Sequence, residues 1–183
     1  MCIRDRLTTA QKKEVFANNS GWVVEAGSTQ TGNDNTDAQP EVLCCVGDLA
    51  TGIGAADITE IEFITTAFDK SDGGNIDVRV RFNEQVTVNT SGGTPTLTIT
   101  NDTPSRNLTA TYLSGSTTNE LIFRKTIAAA NAATNAGDVL SIAANAMALA
   151  SGTIKDTADG STNATITNSG AIGTAAGTIT VAA

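Results

Sequence analysis

Four apolar residues at every second position, Ile76, Val78, Val80 and Phe82, alternate with Asp77, Arg79 and Arg81. This two-residue period limits the fold more than any other feature of the chain. Successive side chains of a strand point to opposite faces, so the segment predicts a strand with one face in a core and a charged face in water. Val86 and Val88 carry the pattern beyond Asn83-Glu84, where a kink or bulge is expected. Further short alternations follow at roughly 8–12-residue spacing: Leu97 and Ile99, then Leu108, Ala110 and Tyr112, then Leu121 and Phe123, then Leu140 and Ile142. Turn-forming clusters separate them, among them Asp72-Gly73-Gly74, Ser91-Gly92-Gly93, Asn101-Asp102 and Ser114-Gly115-Ser116. Ile154, Ile166, Ile172, Ile179 and Val181 mark weaker strands, and the Ala-rich stretch 127–136 predicts a turn of helix. Many short strands at this spacing predict an antiparallel β-sandwich over residues 58–183, long enough to bury its own core.

Residues 7–57 read differently, as a small α+β docking segment. Thr8 and Gln11 fit a capping box, and Leu7, Val15 and Phe16 share a face, predicting a short helix over 7–20. Trp22-Val23-Val24 reads as a strand and 27–39 as a polar, mobile loop. Val42, Leu43, Cys44, Cys45 and Val46 form a compact apolar run, expected as a strand covered on both sides with both cysteines buried. Residues 50–57 read as a linker, placing a boundary near residue 57. Met1-Cys2-Ile3-Arg4-Asp5-Arg6 has the look of translated sequencing-adaptor DNA from a metagenomic assembly, so residues 1–6 are expected to be an artefact.

Composition narrows the chemistry. The chain has no histidine, which removes most acid–base, triad and zinc chemistry. Its net charge of -8 argues against nucleic acid and anionic membrane surfaces. No apolar run approaches the ~20 residues that span a bilayer, so no membrane insertion is expected. Three cysteines are too few for a disulfide framework. No Ser, Thr or Lys has an activating base at a recognisable spacing. A non-enzymatic protein without a cofactor is the expectation.

Calcium is the one ion weighed, because it takes carboxylate and carbonyl oxygens from flexible loops. Its candidates are Asp69, Asp72 and Asp77, and separately Asp156 and Asp159. Asp residues that stabilise turns are the plainer reading, since the EF-hand spacing is missing. Glu84 with Asp77 raises a carboxylate pair for glycoside hydrolysis, but no aromatic sugar platform accompanies it, and surface charge is the expected role. Trp22, Val42, Leu43 and Val46 are the interface candidates, on a segment too small to bury them alone.

Residues 76–160 resemble the bacterial Ig-like repeats of large surface adhesins and the related domains of tailed-phage virion proteins. The likeness is carried by Ile76-Asp77-Val78-Arg79-Val80-Arg81-Phe82-Asn83-Glu84-Gln85-Val86-Thr87-Val88, by Gly93-Thr94-Pro95-Thr96-Leu97, by Ala110-Thr111-Tyr112-Leu113-Ser114-Gly115-Ser116, by Leu121-Ile122-Phe123, and by Ala148-Leu149-Ala150-Ser151-Gly152-Thr153-Ile154-Lys155-Asp156. Thr157-Ala158-Asp159-Gly160 stands where such repeats often have Ala-Gly-Asn. Gly21-Trp22-Val23-Val24-Glu25 and Gln39-Pro40-Glu41-Val42-Leu43 look like the leader of virion structural proteins of marine tailed phages. The resemblance implies an Ig-like β-sandwich without catalytic residues. It would serve as a virion structural or decoration protein, or as part of a secreted adhesin, with a carbohydrate-binding accessory module as the remote alternative. The implied location is the virion or the cell surface. The implied partners are other virion or surface-structure subunits, or host-surface glycans and proteins.

Overall fold

The computed structural model describes residues 13–31 and 34–183. Residues 1–6 and the first half of the helix expected over 7–20 lie outside the described residues. Strand exceeds helix by 45% to 7%, which makes the protein mainly β with a large mixed sheet. In chain order the elements are β1 (Val15–Asn18), β2 (Gly21–Val24), β3 (Glu41–Cys45), α1 (Leu49–Gly52), β4 (Ile58–Phe63), β5 (Phe68–Asp69), β6 (Gly74–Asn89), β7 (Thr96–Asn101), β8 (Leu108–Ser114), β9 (Thr118–Ile127), β10 (Val139–Ser141), β11 (Met147–Ala148), β12 (Thr153–Asp156), α2 (Gly170–Ala175) and β13 (Ile179–Ala182).

The strands follow the path β3-β2-β1-β6-β9-β8-β7-β10-β13-β5, with β4 and β12 added to β6 and β11 to β7. The sequence predicts antiparallel pairing within residues 58–183, but β13 runs parallel to β5 there, and β1 from the amino-terminal segment joins β6 in parallel. Neither parallel pair is joined by a turn. Each brings together segments far apart in the chain, so no hairpin imposes antiparallel order.

β6 is the axis of the sheet. One of its edges pairs with β9 along most of its length. The other edge takes β4 against Val78 to Phe82, β1 at Glu84, and β12 against Val86 to Asn89. Its register against β9 shifts between Arg81 and Val86, where the alternating pattern meets Asn83-Glu84. The inward residues Ile76, Val78, Val80, Phe82 and Val86 join Leu97, Ile99, Leu121, Phe123, Leu140 and Ile154 in the main core. Burial of each such side chain contributes about 1.5–3 kcal/mol. Val15, Ala17, Trp22 and Val24 form a second, smaller cluster with Cys44 and Leu49 against it.

Several local expectations need correction. Val15-Phe16-Ala17-Asn18 is strand rather than helix, because all but Asn18 are buried beside β2 and β6, and both faces are covered. β3 is an exposed edge strand rather than one covered on both sides: it ends the path and only β2 pairs with it. Cys44 is accordingly half-buried and Cys45 exposed. Part of the supposed linker is α1, with Ala50 buried. Residues 128–136 form turns, not helix, and Ile172 belongs to α2 rather than to a strand.

The β8–β9 connection shows why one glycine is required. Gly115 has φ +108°, and a Cβ there would run into the carbonyl of Glu120. Next to it the Ser116 N–H donates to the Tyr112 hydroxyl at 2.9 Å, and the Tyr112 ring meets Phe123 edge-on at 6.1 Å. Gly115→Ala is therefore expected to destabilise by about 1–3 kcal/mol. Gly52→Ala, in α1 with open space around it, is expected to be neutral or mildly stabilising. Denaturant midpoints of the two variants check the contrast.

Candidate functional site

Two polar assemblies lie on β6 close to where β1 joins it at Glu84. The first is a cluster of ion pairs around Arg81. The alternation predicts Arg81 in water, but it is only 6% exposed. Its Nη1 donates to the Lys13 carbonyl at 2.6 Å, and its guanidinium lies 3.6 Å from Glu60, 3.9 Å from Glu25 and 2.5 Å from Glu120. Arg79 joins Glu62 at 2.8 Å and Glu120 at 3.4 Å, and Lys13 meets Glu60 and Glu62 at 3.2 Å each. Burial pushes the Glu25 and Glu60 carboxyls up despite Arg81 and Lys13. The hydrogen bond to Glu62 holds the Lys13 ammonium above its ordinary range. The charges on this face of β6 are thus spent on carboxylates of β4 and β9, with Lys13 and Glu25 added from the amino-terminal segment.

The second assembly is the carboxyl pair Glu84 and Asp156. Glu84 stands at the handover on β6, opposite Ala17 of β1 and just before β12 takes over the same edge. Asp156 is opposite Val86, two residues on. Residues two apart on a strand share a face, so Glu84 and Asp156 are diagonal neighbours and their carboxyls meet. Both are essentially inaccessible, at 0% and 1% exposure. The surface-charge role expected for Glu84 is therefore wrong. Glu84 follows the same two-residue phase as Phe82 and Val86 and points inward with them. That phase is the signal by which the sequence exposes it.

The Glu84 and Asp156 carboxyls share a side-chain hydrogen bond, and beyond each other neither Glu84 oxygen nor Oδ2 of Asp156 has a partner. Oδ1 of Asp156 accepts from the Ala158 N–H at 2.6 Å. Burial pushes the Glu84 carboxyl up to about 8, aided first by the neighbouring Asp156 and then by Asp57 and Asp159. Beside Asp156 opens a pocket of about 290 Å³ lined also by Asn18, Asn19, Ser20, Gln85 and Thr157, among others.

The other acidic candidates are placed elsewhere. Asp77 is held by Arg124 through two hydrogen bonds of 2.7 and 2.6 Å, away from any pairing with Glu84. Asp69 caps its own turn through the Ser71 N–H and hydroxyl, which holds its carboxyl low, and Asp72 is exposed beside it. Asp159 is held down to about 2 by Thr162, through its hydroxyl and N–H, and by the Ser161 N–H. Among the described residues no three acidic or cysteine side chains are placed to hold a metal ion together. Trp22 is buried in the small cluster. Val42, Leu43 and Val46 are 50%, 53% and 43% exposed.

No family model, curated protein or solved structure matches the chain. What defines the protein is its own construction: a mainly β sheet with a buried carboxyl pair at its central strand and an apolar free edge.

Two outcomes follow from these assemblies. Arg81→Met takes from Glu120 its nearest partner and leaves Glu60 to Lys13 alone, and is expected to cost about 3–5 kcal/mol in chemical denaturation. Glu84 makes stability fall as pH rises. The folded carboxyl keeps its proton to about 8 while the unfolded one loses it near 4.5. Its contribution is complete below pH 4.5, declines by up to ~1.4 kcal/mol per pH unit, and levels off above pH 8. Glu84→Gln, whose amide donates as the protonated acid does, is expected to flatten that decline and to be the more stable protein at pH 8. Unfolding free energies between pH 5 and 9, in buffer containing chelator, provide the check.

Proposed function

We propose that the protein is a non-enzymatic structural or decorating subunit of a virion, with an Ig-like sandwich facing solvent and residues 15–46 docking onto a neighbouring subunit. The observation that carries this reading is the free edge. β3 ends the sheet, its outer backbone edge has no strand beside it among the described residues, and Val42, Leu43 and Val46 are exposed on and just beyond it. An open apolar edge of this kind invites strand addition and is ordinarily blunted by charge or covered. Glu41 is the only charged residue on β3. The resemblance of residues 76–160 to adhesin and tailed-phage Ig-like repeats supplies the setting.

A secreted adhesin piece is the second reading, supported by the same resemblance. The carbohydrate-binding alternative draws on the polar pocket alone, which has no aromatic lining. The proposal requires the protein to co-purify with particles. Its absence from purified virions, together with a secretion gene neighbourhood, would favour the adhesin.

Val42→Asp combined with Leu43→Asp is expected to abolish association. Both side chains are solvent-exposed in the single chain, so its stability is expected to stay within about 0.5 kcal/mol of the parent. Sedimentation or particle binding, read beside a thermal melt, separates loss of docking from loss of folding.

A further inference from the structure

The amino-terminal strands are knit to one another more fully than to the rest of the sheet. β1 pairs with β2 along its whole length, and β2 pairs with β3. Against β6, by contrast, β1 is in register only at Ala17, opposite Glu84. These strands and α1 share their own apolar cluster around Trp22, distinct from the main core. The chain leaves this unit through Gly52-Ile53-Gly54, where Gly54 has φ +95° and open space around it, before Ala56 enters the main core. Part of the seam is the polar cavity, with Asn18, Ser20 and Ala50 on one side and Gln85, Asp156 and Thr157 on the other.

Where β1 meets β6, the contact depends on a proton. Glu84 and Asp156 are buried and share a hydrogen bond that one of the two carboxyls has to donate. The charged groups that act on Glu84 are Asp156 of β12, Asp57 just ahead of β4 and Asp159 just beyond β12, all acidic. β1 brings the uncharged Ala17 and Asn18, and β9 places Thr118 opposite Val86. Lys155 precedes Asp156 on β12, so by the alternation of the strand it points to the other side. Loss of the proton therefore leaves two buried like charges in contact with no cation to offset them. We infer that this carboxyl pair is a proton-held latch: protonated, it closes residues 15–52 onto β6 and β12, and ionised, it favours a state in which this unit has parted from β6 about residues 52–54 while the sandwich stays folded. β1 is the strand that yields, because β4 and β12 are each in register with β6 over most of their length. Local opening takes the most weakly attached element first.

The closed seam raises the Glu84 carboxyl to about 8, and opening returns it toward the ordinary value near 4.5. Opening therefore becomes easier by up to about tenfold for each pH unit across that interval, and no easier above pH 8. Hydrogen exchange of the full chain, corrected for intrinsic rates and read between pH 6 and 8, tests the latch. Residues 15–24 are expected to be less protected than residues 118–127 of β9 at each pH, and to lose about tenfold or more of their protection over the interval. Glu84→Gln is expected to remove most of that loss. Its effect separates the latch from Glu25 and Glu60, whose raised carboxyls belong to the Arg81 cluster. Lys13→Ala, which weakens the attachment to Glu60 and Glu62, is expected to lower the protection of residues 15–24 at every pH without changing its dependence on pH. Far-UV circular dichroism confirms that each variant folds. If Glu84→Gln does not, the parent decides by whether residues 15–24 open apart from β9 and with this pH dependence. Residues 15–24 and β9 exchanging as one unit at every pH, or a pH dependence that persists unchanged in folded Glu84→Gln, would overturn the inference. The latch does not rest on the docking proposal, which is read from particle binding and stands or falls separately.

Discussion

Everything in this sheet depends on how β6 shares out its two edges. One edge is devoted to β9, while the other passes from β4 to β1 to β12 within a dozen residues. A straight strand would hold one neighbour along that edge. The register shift against β9 between Arg81 and Val86 gives the strand the local twist that turns its edge toward new partners. Residues 15–24, the main core and the β12 segment all meet at this place.

The same handover explains both polar assemblies. Side chains alternate across β6, and the strands that meet here bury Arg81 and Glu84 alike. Arg81 faces carboxylates and finds a network. Glu84 faces carboxylates and finds none of the opposite sign. Burial of a charge in a pair is tolerable, but burial beside like charges forces a proton or a cation into the account. The contrast between Arg81 and Glu84 comes from what the neighbouring strands bring, since both residues are charged and both are buried.

At the far end of the path the situation is reversed. β3 exposes apolar side chains where a free-standing protein would place charge, and of its residues Cys44 packs against the small cluster. The small cluster around Trp22 is complete without Val42 and Leu43. These two residues serve neither core, which is why the docking proposal rests on them rather than on Trp22.

The sequence by itself determined the β character, the long alternating strand, the core residues from Ile76 to Leu140 and the break at Asn83-Glu84. All of these follow from local periodicity, which survives in any fold built from the segment. The phase of Glu84 was legible too, though its fate as a buried acid was not, because a strand's pattern says which way a residue points and not what waits there. Only the tertiary structure decided that Arg81 is roofed over, that Val15 to Asn18 extend as a strand, that β3 is an edge, and that Asp156 meets Glu84 across more than seventy residues of chain. Each depends on which distant strands become neighbours, and no local pattern carries that choice.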